Sequence, residues 1–285
     1  MARKCHDNGA PLAQQWGLSS VGDSNAGKQE TSTGGETMVQ RATVSPPALR
    51  RMPGARIRRG RTRRQAMIKA VLLDIDGTLM DTNYLHVEAW AQALGEVGDP
   101  VPRALIHEQI GKGSDKLLPE FVEGEEASQK ASELHKEYYS ELQDRGQPLP
   151  GAKELISSLV ERGYEVWLAT SAEPEELEQY LKDLEAEDKI AGVVSSDDAE
   201  ESKPSPDIFG LALERAGASK EEAVVVGDSV WDLEAAKEAG VRAAAVLTGG
   251  AFSRAELEEA GAYAVYEDCA ALLEAGFPEE LNPSE

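Results

Sequence analysis

A four-residue apolar run, Ala70-Val71-Leu72-Leu73, closed by Asp74-Ile75-Asp76-Gly77-Thr78-Leu79, most narrows what this chain can fold into. A short continuous apolar run ended by a turn signal reads as a strand buried on both faces, the kind found in parallel sheets covered by helices. Side chains two apart in a strand leave on the same side, so Asp74 and Asp76 start together where the chain exits the sheet. Two carboxylates so placed repel each other, and the pairing makes sense if a divalent metal sits between them while one acts as nucleophile and the other moves a proton. Asp-Gly also occurs in ordinary turns, so the motif alone leaves both readings open.

From Ala70 onward apolar runs and helical patterns alternate, the signature of an α/β fold with a parallel sheet. Strands are expected at 70–73, 165–169, 192–194, 223–226, 243–247 and 262–265. Helices are expected at 152–162, 174–185, 206–216 and 231–239, two of them beginning at Pro174 and Pro206, where a first turn tolerates proline. Residues 82–149 break the alternation. Helical patterns at 84–97, 102–110 and 127–145 make this stretch too long for a crossover, and it reads as an α-helical cap subdomain inserted after the first strand. Residues 67–81 and 150–285 then form the core domain, with the cap over the carboxyl ends of its strands, where open α/β sheets bind ligands.

Residues 1–66 are of a different composition. They carry 12 Lys and Arg against 4 Asp and Glu, net +8, so the rest of a chain of net charge −23 amounts to −31. Rich in Gly, Ser, Thr, Pro and Arg, they bury too little to offset their ordering entropy. Three readings fit: a disordered basic tail, an organelle transit peptide, or upstream sequence from a start assigned too early, with tail or early start preferred. The acidic remainder argues against nucleic acid or an anionic membrane as partner. No apolar stretch is long enough to span a bilayer, and Cys5 and Cys269 form neither a disulfide framework nor a zinc spacing. The expectation is a soluble cytoplasmic protein; the sequence does not give its oligomeric state.

Four of the expected strands end in residues suited to one chemistry. After Asp74 and Asp76 come Thr170 and Ser171, hydroxyls able to hydrogen-bond an anion; then Lys203 among turn residues; then Gly227-Asp228-Ser229-Val230-Trp231-Asp232. Singly, each has a plain alternative: Thr170 as a turn or cap residue, Lys203 as a surface charge, Asp228 and Asp232 as first-turn acids. Jointly they suit phosphoryl transfer. Asp74 attacks phosphorus, Lys203 and Thr170 hold the non-bridging oxygens, and Asp76 protonates the leaving alcohol and then deprotonates water. An all-oxygen donor set favours Mg²⁺ over zinc.

These four segments resemble the motifs of the haloacid dehalogenase-like (HAD) hydrolase superfamily, in its helical-cap branch of phosphoglycolate phosphatases and β-phosphoglucomutase-like proteins. The likeness rests on Asp74 to Leu79 with Asp81-Thr82-Asn83, on Leu168-Ala169-Thr170, on Lys203-Pro204-Ser205-Pro206-Asp207, and on Gly227 to Asp232 with Ala235-Ala236 and Ala239-Gly240. It implies a Rossmann-like core, Asp74 as nucleophile, Asp76 as acid and base, Thr170 and Lys203 on phosphate with Gly77 and Ser171 in the same turns. It also implies Mg²⁺ on Asp74, Asp228 and the Asp76 carbonyl, with Asp232 in support. Tyr84 to Trp90 resembles the first cap helix of the mutases, in which a His at the position of His86 helps gate the general acid. Those mutases grip a second phosphate with an Arg after a Gly-x-Ser turn; Gly111-Lys112-Gly113-Ser114-Asp115 offers Asp115 there, and Lys112 as the obvious cation. The resemblance thus implies a Mg²⁺-dependent phosphatase of a small phosphorylated metabolite, such as phosphoglycolate or a sugar phosphate. The alternatives are a sugar phosphomutase and, less favoured, a non-catalytic binding protein of the same fold.

Overall fold

The apolar run at the start of the sheet is the centre of the molecule. The computed structural model describes residues 66–98, 100–172 and 174–282, with the backbone alone for 174 and 175; the expectations for residues 1–65 lie outside them. Strand β1 (Ala70–Leu73) is wholly buried. Alternate residues feed two layers: Val71 and Leu73 enter one apolar core, Ala70 and Leu72 the other. Around it lie β2 (Glu165–Ala169), β3 (Gly192–Val194), β4 (Ala223–Gly227), β5 (Arg242–Val246) and β6 (Ala264–Tyr266). All pair in parallel, in the order β3-β2-β1-β4-β5-β6. The chain therefore runs outward from β1 in one direction and resumes at β4 on its other side. That reversal opens a crevice at the carboxyl ends of β1 and β4, the usual ligand position of such a sheet.

Helices α5 (Ala152–Glu161), α6 (Pro174–Asp183) and α10 (Cys269–Glu274) cover the first layer, with Leu155, Ile156, Leu159, Tyr180 and Leu272 buried in it. Helices α7 (Asp207–Ala216), α8 (Val230–Ala239) and α9 (Arg254–Ala260) cover the second, through Ile208, Phe209, Leu233 and Leu257.

Between β1 and β2 the chain is helical: α1 (Asn83–Val97), α2 (Arg103–His107), α3 (Ser114–Leu117) and α4 (Glu125–Ser140). Buried residues on α1 fall at Asn83, His86, Val87, Trp90, Ala93 and Leu94, one helical stripe. With Ile106, Ile110, Leu117, Leu118 and Ala131 this stripe builds a third apolar cluster belonging to the insertion itself. Expected and observed elements differ at their ends. The helix expected over 127–145 stops at Ser140 and is followed by a 3₁₀ turn, Gln143–Arg145. The last two strands are displaced by one residue toward the N-terminus and two toward the C-terminus, to Arg242–Val246 and Ala264–Tyr266. Helices α3, α9 and α10 had no counterpart in the sequence reading.

Candidate active site

Asp74 follows β1 and stays in the ladder through its amide, which donates to Val226 O at 2.9 Å. Its carboxylate is buried, with Oδ1 2.5 Å from the Lys203 ammonium. Lys203 arrives from the loop before α7 and is entirely buried. Its Nζ also lies 2.7 Å from Asp232 Oδ1 and 3.1 Å from Ala169 O. Its hydrogen bonds go to Asp74 Oδ1 and Ala169 O, and Asp232 Oδ1 stands at ion-pair distance. Lys203 thus orients and neutralises Asp74; the sequence reading puts the same ammonium on phosphate. Burial opposes the charge on Lys203, but Asp232 and Asp74 outweigh it and raise its pKa.

Asp232 is committed twice. Its Oδ2 accepts from the Ser229 amide at 3.2 Å and the Ser229 hydroxyl at 2.5 Å, while its own amide donates to Ser229 Oγ, a capping box that starts α8. The other oxygen meets Lys203. The same residue fixes the helix end and the buried ammonium.

Asp228, at the end of β4, accepts from Thr78 Oγ1 at 3.0 Å and from Asn83 Nδ2 at 3.1 Å. Two glycines make room for it. A Cβ on Gly77, whose φ is +78°, would lie 2.4 Å from Asp228 Oδ2, and one on Gly249 would lie 1.6 Å from it. Asp74, Asp228 and Asp232 place one oxygen each within 4.8 Å of one another. Burial pushes Asp74 up to about 7 against the pull of Lys203, with Asp232 and Asp76 adding repulsion. Burial, then Asp232 and Asp74, raise Asp228 well above the usual carboxylate range. Three buried carboxylates facing one ammonium are short of positive charge, and hard oxygen donors so grouped fit a hard dication such as Mg²⁺. Asn83 Oδ1 is a further buried oxygen beside Asp228 with no protein partner.

Asp76 turns the other way. Its Oδ1 accepts from Thr82 Oγ1 at 2.6 Å and from Tyr180 OH at 2.9 Å, and faces His86 Nε2 at 3.2 Å. Burial would raise its pKa, but His86, by charge and hydrogen bond, and then Thr82 and Tyr180 lower it. His86 is raised in return: burial works against its charge, and Asp76 outweighs burial. The carboxylate of Asp76 thus lies outside the group formed by Asp74, Asp228 and Asp232; the sequence reading places its carbonyl, not its carboxylate, on the metal. Behind it, His86 stacks on Tyr139 at 3.9 Å between centroids, and its Nδ1 lies 3.3 Å from His135 Nε2. His135 stacks in turn on Trp90 at 3.9 Å. Burial and the neighbouring His86 hold His135 well below the ordinary histidine range.

A cavity of about 100 Å³ lies where the insertion meets the sheet edge, lined by Asp74, Asp76, His86, Ser171 and the turn carrying Lys112, among others. Thr170 is fully buried and accepts from the Ala172 amide at 3.0 Å, so Ser171 rather than Thr170 reaches the wall. Lys112 is held sideways, 4.1 Å above the Trp231 ring, with Gln109 Oε1 at 2.6 Å and Glu120 Oε1 at 3.2 Å. Asp115, where the mutase comparison wanted an Arg, accepts from Ser202 Oγ at 2.5 Å. This contact clips the insertion to the loop that carries Lys203. Further clips are Gly113 N to Ser202 Oγ, Ser171 Oγ to Gly111 O, Trp231 Nε1 to Glu108 O and His107 Nε2 against Gly249 O. Thr78, Tyr139, Tyr180, His135, Trp90 and Gly249 are the site residues that sequence reasoning passed over. Asn83 and Thr78 stood inside the first motif, and the others carry no local signal.

Comparison with known proteins agrees with this geometry. The family model described as haloacid dehalogenase-like hydrolase matches residues 68–240. A phosphorylated carbohydrates phosphatase of Thermotoga maritima is 31% identical over 205 residues, covering 70% of this chain and 94% of its own. A phosphoglycolate phosphatase of Rhodospirillum rubrum is 28% identical over 226 residues, covering 75% and 93%. Among solved structures, a hydrolase from Pseudomonas syringae superposes with a TM-score of 0.70 at 35% identity, over 73% of this chain and 97% of that one. The chain belongs to the haloacid dehalogenase-like hydrolase superfamily and is an enzyme of the phosphatase type.

Proposed function

We propose that the chain is a Mg²⁺-dependent phosphatase of a small phosphorylated carbohydrate or glycolate-type metabolite, working through an aspartyl-phosphate on Asp74. The observation that carries this reading is Asp74 itself: a buried carboxylate at the switch point of the sheet, fixed by Lys203 and opening onto a small cavity whose other wall holds Asp76. A carboxylate attacking a phosphate must overcome charge repulsion. Asp74 and Asp228, with the Asp76 carbonyl, would hold Mg²⁺, whose positive charge would let the two anions meet. Asp232 belongs to this set by placing Lys203.

In the first half-reaction an Asp74 oxygen forms a bond to phosphorus as the bond to the leaving oxygen breaks, and Asp76 gives that oxygen its proton. In the second, Asp76 takes a proton from water as the water oxygen attacks phosphorus, and the electron pair of the broken acyl-phosphate bond returns to Asp74. Thr82, His86 and Tyr180 hold Asp76 for both transfers. The named activities of the Thermotoga and Rhodospirillum relatives support a phosphorylated carbohydrate or phosphoglycolate as substrate. The cavity supports a short leaving group.

The mutase reading is weaker because no arginine lines the cavity among the described residues, and Asp115 is spent on Ser202. A phosphate-release screen over phosphorylated metabolites identifies the substrate. Incubation with β-glucose 1-phosphate and a bisphosphate activator separates the two activities: free phosphate supports the hydrolase, isomer formation the mutase. Asp74→Asn is expected to lower kcat by about 1,000-fold or more, and chelation to abolish turnover until Mg²⁺ is restored. Near wild-type turnover by pure Asp74→Asn protein overturns the nucleophile. No helix among the described residues is long and apolar enough to cross a membrane, and we place the enzyme in the cytoplasm.

A further inference from the structure

We infer that Tyr180 is a positioning residue for the proton-transfer carboxylate, confining the transferable proton to Oδ2 of Asp76. The inference rests on the phosphatase reading and extends it to a residue outside the motifs. Three groups from two parts of the chain crowd a single oxygen, Asp76 Oδ1: Thr82 Oγ1 at 2.6 Å, Tyr180 OH at 2.9 Å and His86 Nε2 at 3.2 Å. Thr82 precedes α1, His86 lies on α1, and Tyr180 comes from α6 beneath the sheet layer.

The direction of each bond follows from counting protons. A phenol has one, and the Tyr180 proton is used on Asp76. The Tyr180 oxygen is also 2.5 Å from Tyr139 OH, so the bond between the two phenols is donated by Tyr139. The chain of donors runs from Tyr139 on α4, through Tyr180, to Asp76. Tyr139 and Tyr180 are both buried, and burial keeps both phenols protonated as this direction requires.

With Thr82, Tyr180 at 2.9 Å and the Nε2–H form of His86 all donating to it, Oδ1 has no acceptor for a proton of its own, and a buried donor set against donors is strongly disfavoured; the Tyr180 contact with His86 Nε2 is the longer one, 3.4 Å. The described hydrogen bonds of the Asp76 carboxylate all fall on Oδ1, and Asp76 lines the cavity. The proton for the leaving group therefore sits on Oδ2, the oxygen open to substrate, and water is deprotonated by the same oxygen in the second half-reaction. Tyr180 also closes a path across the molecule, since its partner Tyr139 belongs to the insertion while Tyr180 belongs to the core layer.

A positioning role has a signature that lost packing lacks. An alkyl leaving group needs the proton as its bond to phosphorus breaks, whereas p-nitrophenolate is stable enough to leave largely without it. The experiment compares kcat/KM for p-nitrophenyl phosphate with that for the best alkyl phosphate of the metabolite screen, in wild type, Tyr180→Phe and Tyr139→Phe. For Tyr180→Phe the alkyl ester is expected to lose about tenfold and the aryl ester about twofold or less. For Tyr139→Phe the ratio of the two is expected to shift in the same direction but less, because the Tyr180 proton stays on Asp76. The ratio is independent of the folded fraction, so partial misfolding of a variant does not obscure it. An active wild type whose Tyr180→Phe variant loses both esters equally, or loses neither, overturns this inference alone. A wild type that releases no phosphate from any ester overturns the phosphatase reading and this inference with it.

Discussion

Asp228 occupies a slot whose width is set by the two glycines on either side of it. Gly77 needs its positive φ to make the turn after β1, but Gly249 is required for space alone, since its Cβ would fall 1.6 Å from a carboxylate oxygen. That oxygen accepts from Asn83 Nδ2, which also reaches the Gly249 carbonyl at 3.3 Å. Gly249→Ala is therefore expected to displace Asp228 and raise the Mg²⁺ concentration for half-maximal activity by about tenfold or more, with circular dichroism unchanged; titration of activity against Mg²⁺ measures it. The residue scale is also where the sequence was most and least informative. Asp74, Asp76, Asp228 and Lys203 could be read because each directly follows a strand or sits in the next turn, where topology assembles the site. Gly249 and Tyr180 could not. Each meets its partner across a contact that only packing creates, 104 residues apart for Tyr180 and Asp76, and neither sits in a pattern that predicts such a meeting.

Elements formed where burial dictated them. The strands at 70–73 and 165–169 are those read from the apolar runs, because a central strand has little freedom to admit polar residues on either face, and the edge strand at 192–194 keeps its expected bounds as well. Toward the β6 edge that constraint relaxes, and the last strands shift register against the reading. Short helices escaped notice for a different reason: α3 spans four residues, and α9 and α10 are seven and six, too few for a helical period to show. Helix α5 shows how the layers are held. Its Leu155 is fully buried in the first apolar layer. Leu155→Ala is expected to cost about 2–5 kcal/mol by loss of burial and an unfilled cavity. Urea unfolding should report the loss, while kcat of the folded enzyme stays near wild type.

At the scale of the whole molecule, the acidic residues 67–285 and the basic first 66 residues are separate in composition, and the family match begins at residue 68. The folded part is tied off at its own ends: the Ile68 amide donates to Asn282 Oδ1 at 2.7 Å, joining its first and last segments. A chain beginning at Met67 keeps that tie, and is expected to retain the thermal midpoint and kcat/KM of the full chain. A large loss in either measurement would show that the basic segment contributes to the fold. The clips across the cavity carry a further consequence. Ser202 to Asp115, Ser171 to Gly111, Trp231 to Glu108 and His107 to Gly249 join the insertion to the core around the cavity. On the phosphatase reading, release of inorganic phosphate is expected to be coupled to their opening, a motion damped by the surrounding liquid. Turnover at saturating substrate should therefore slow as sucrose thickens the medium, in near proportion to relative viscosity. A poor substrate, limited by its own bond breaking, should not feel the change.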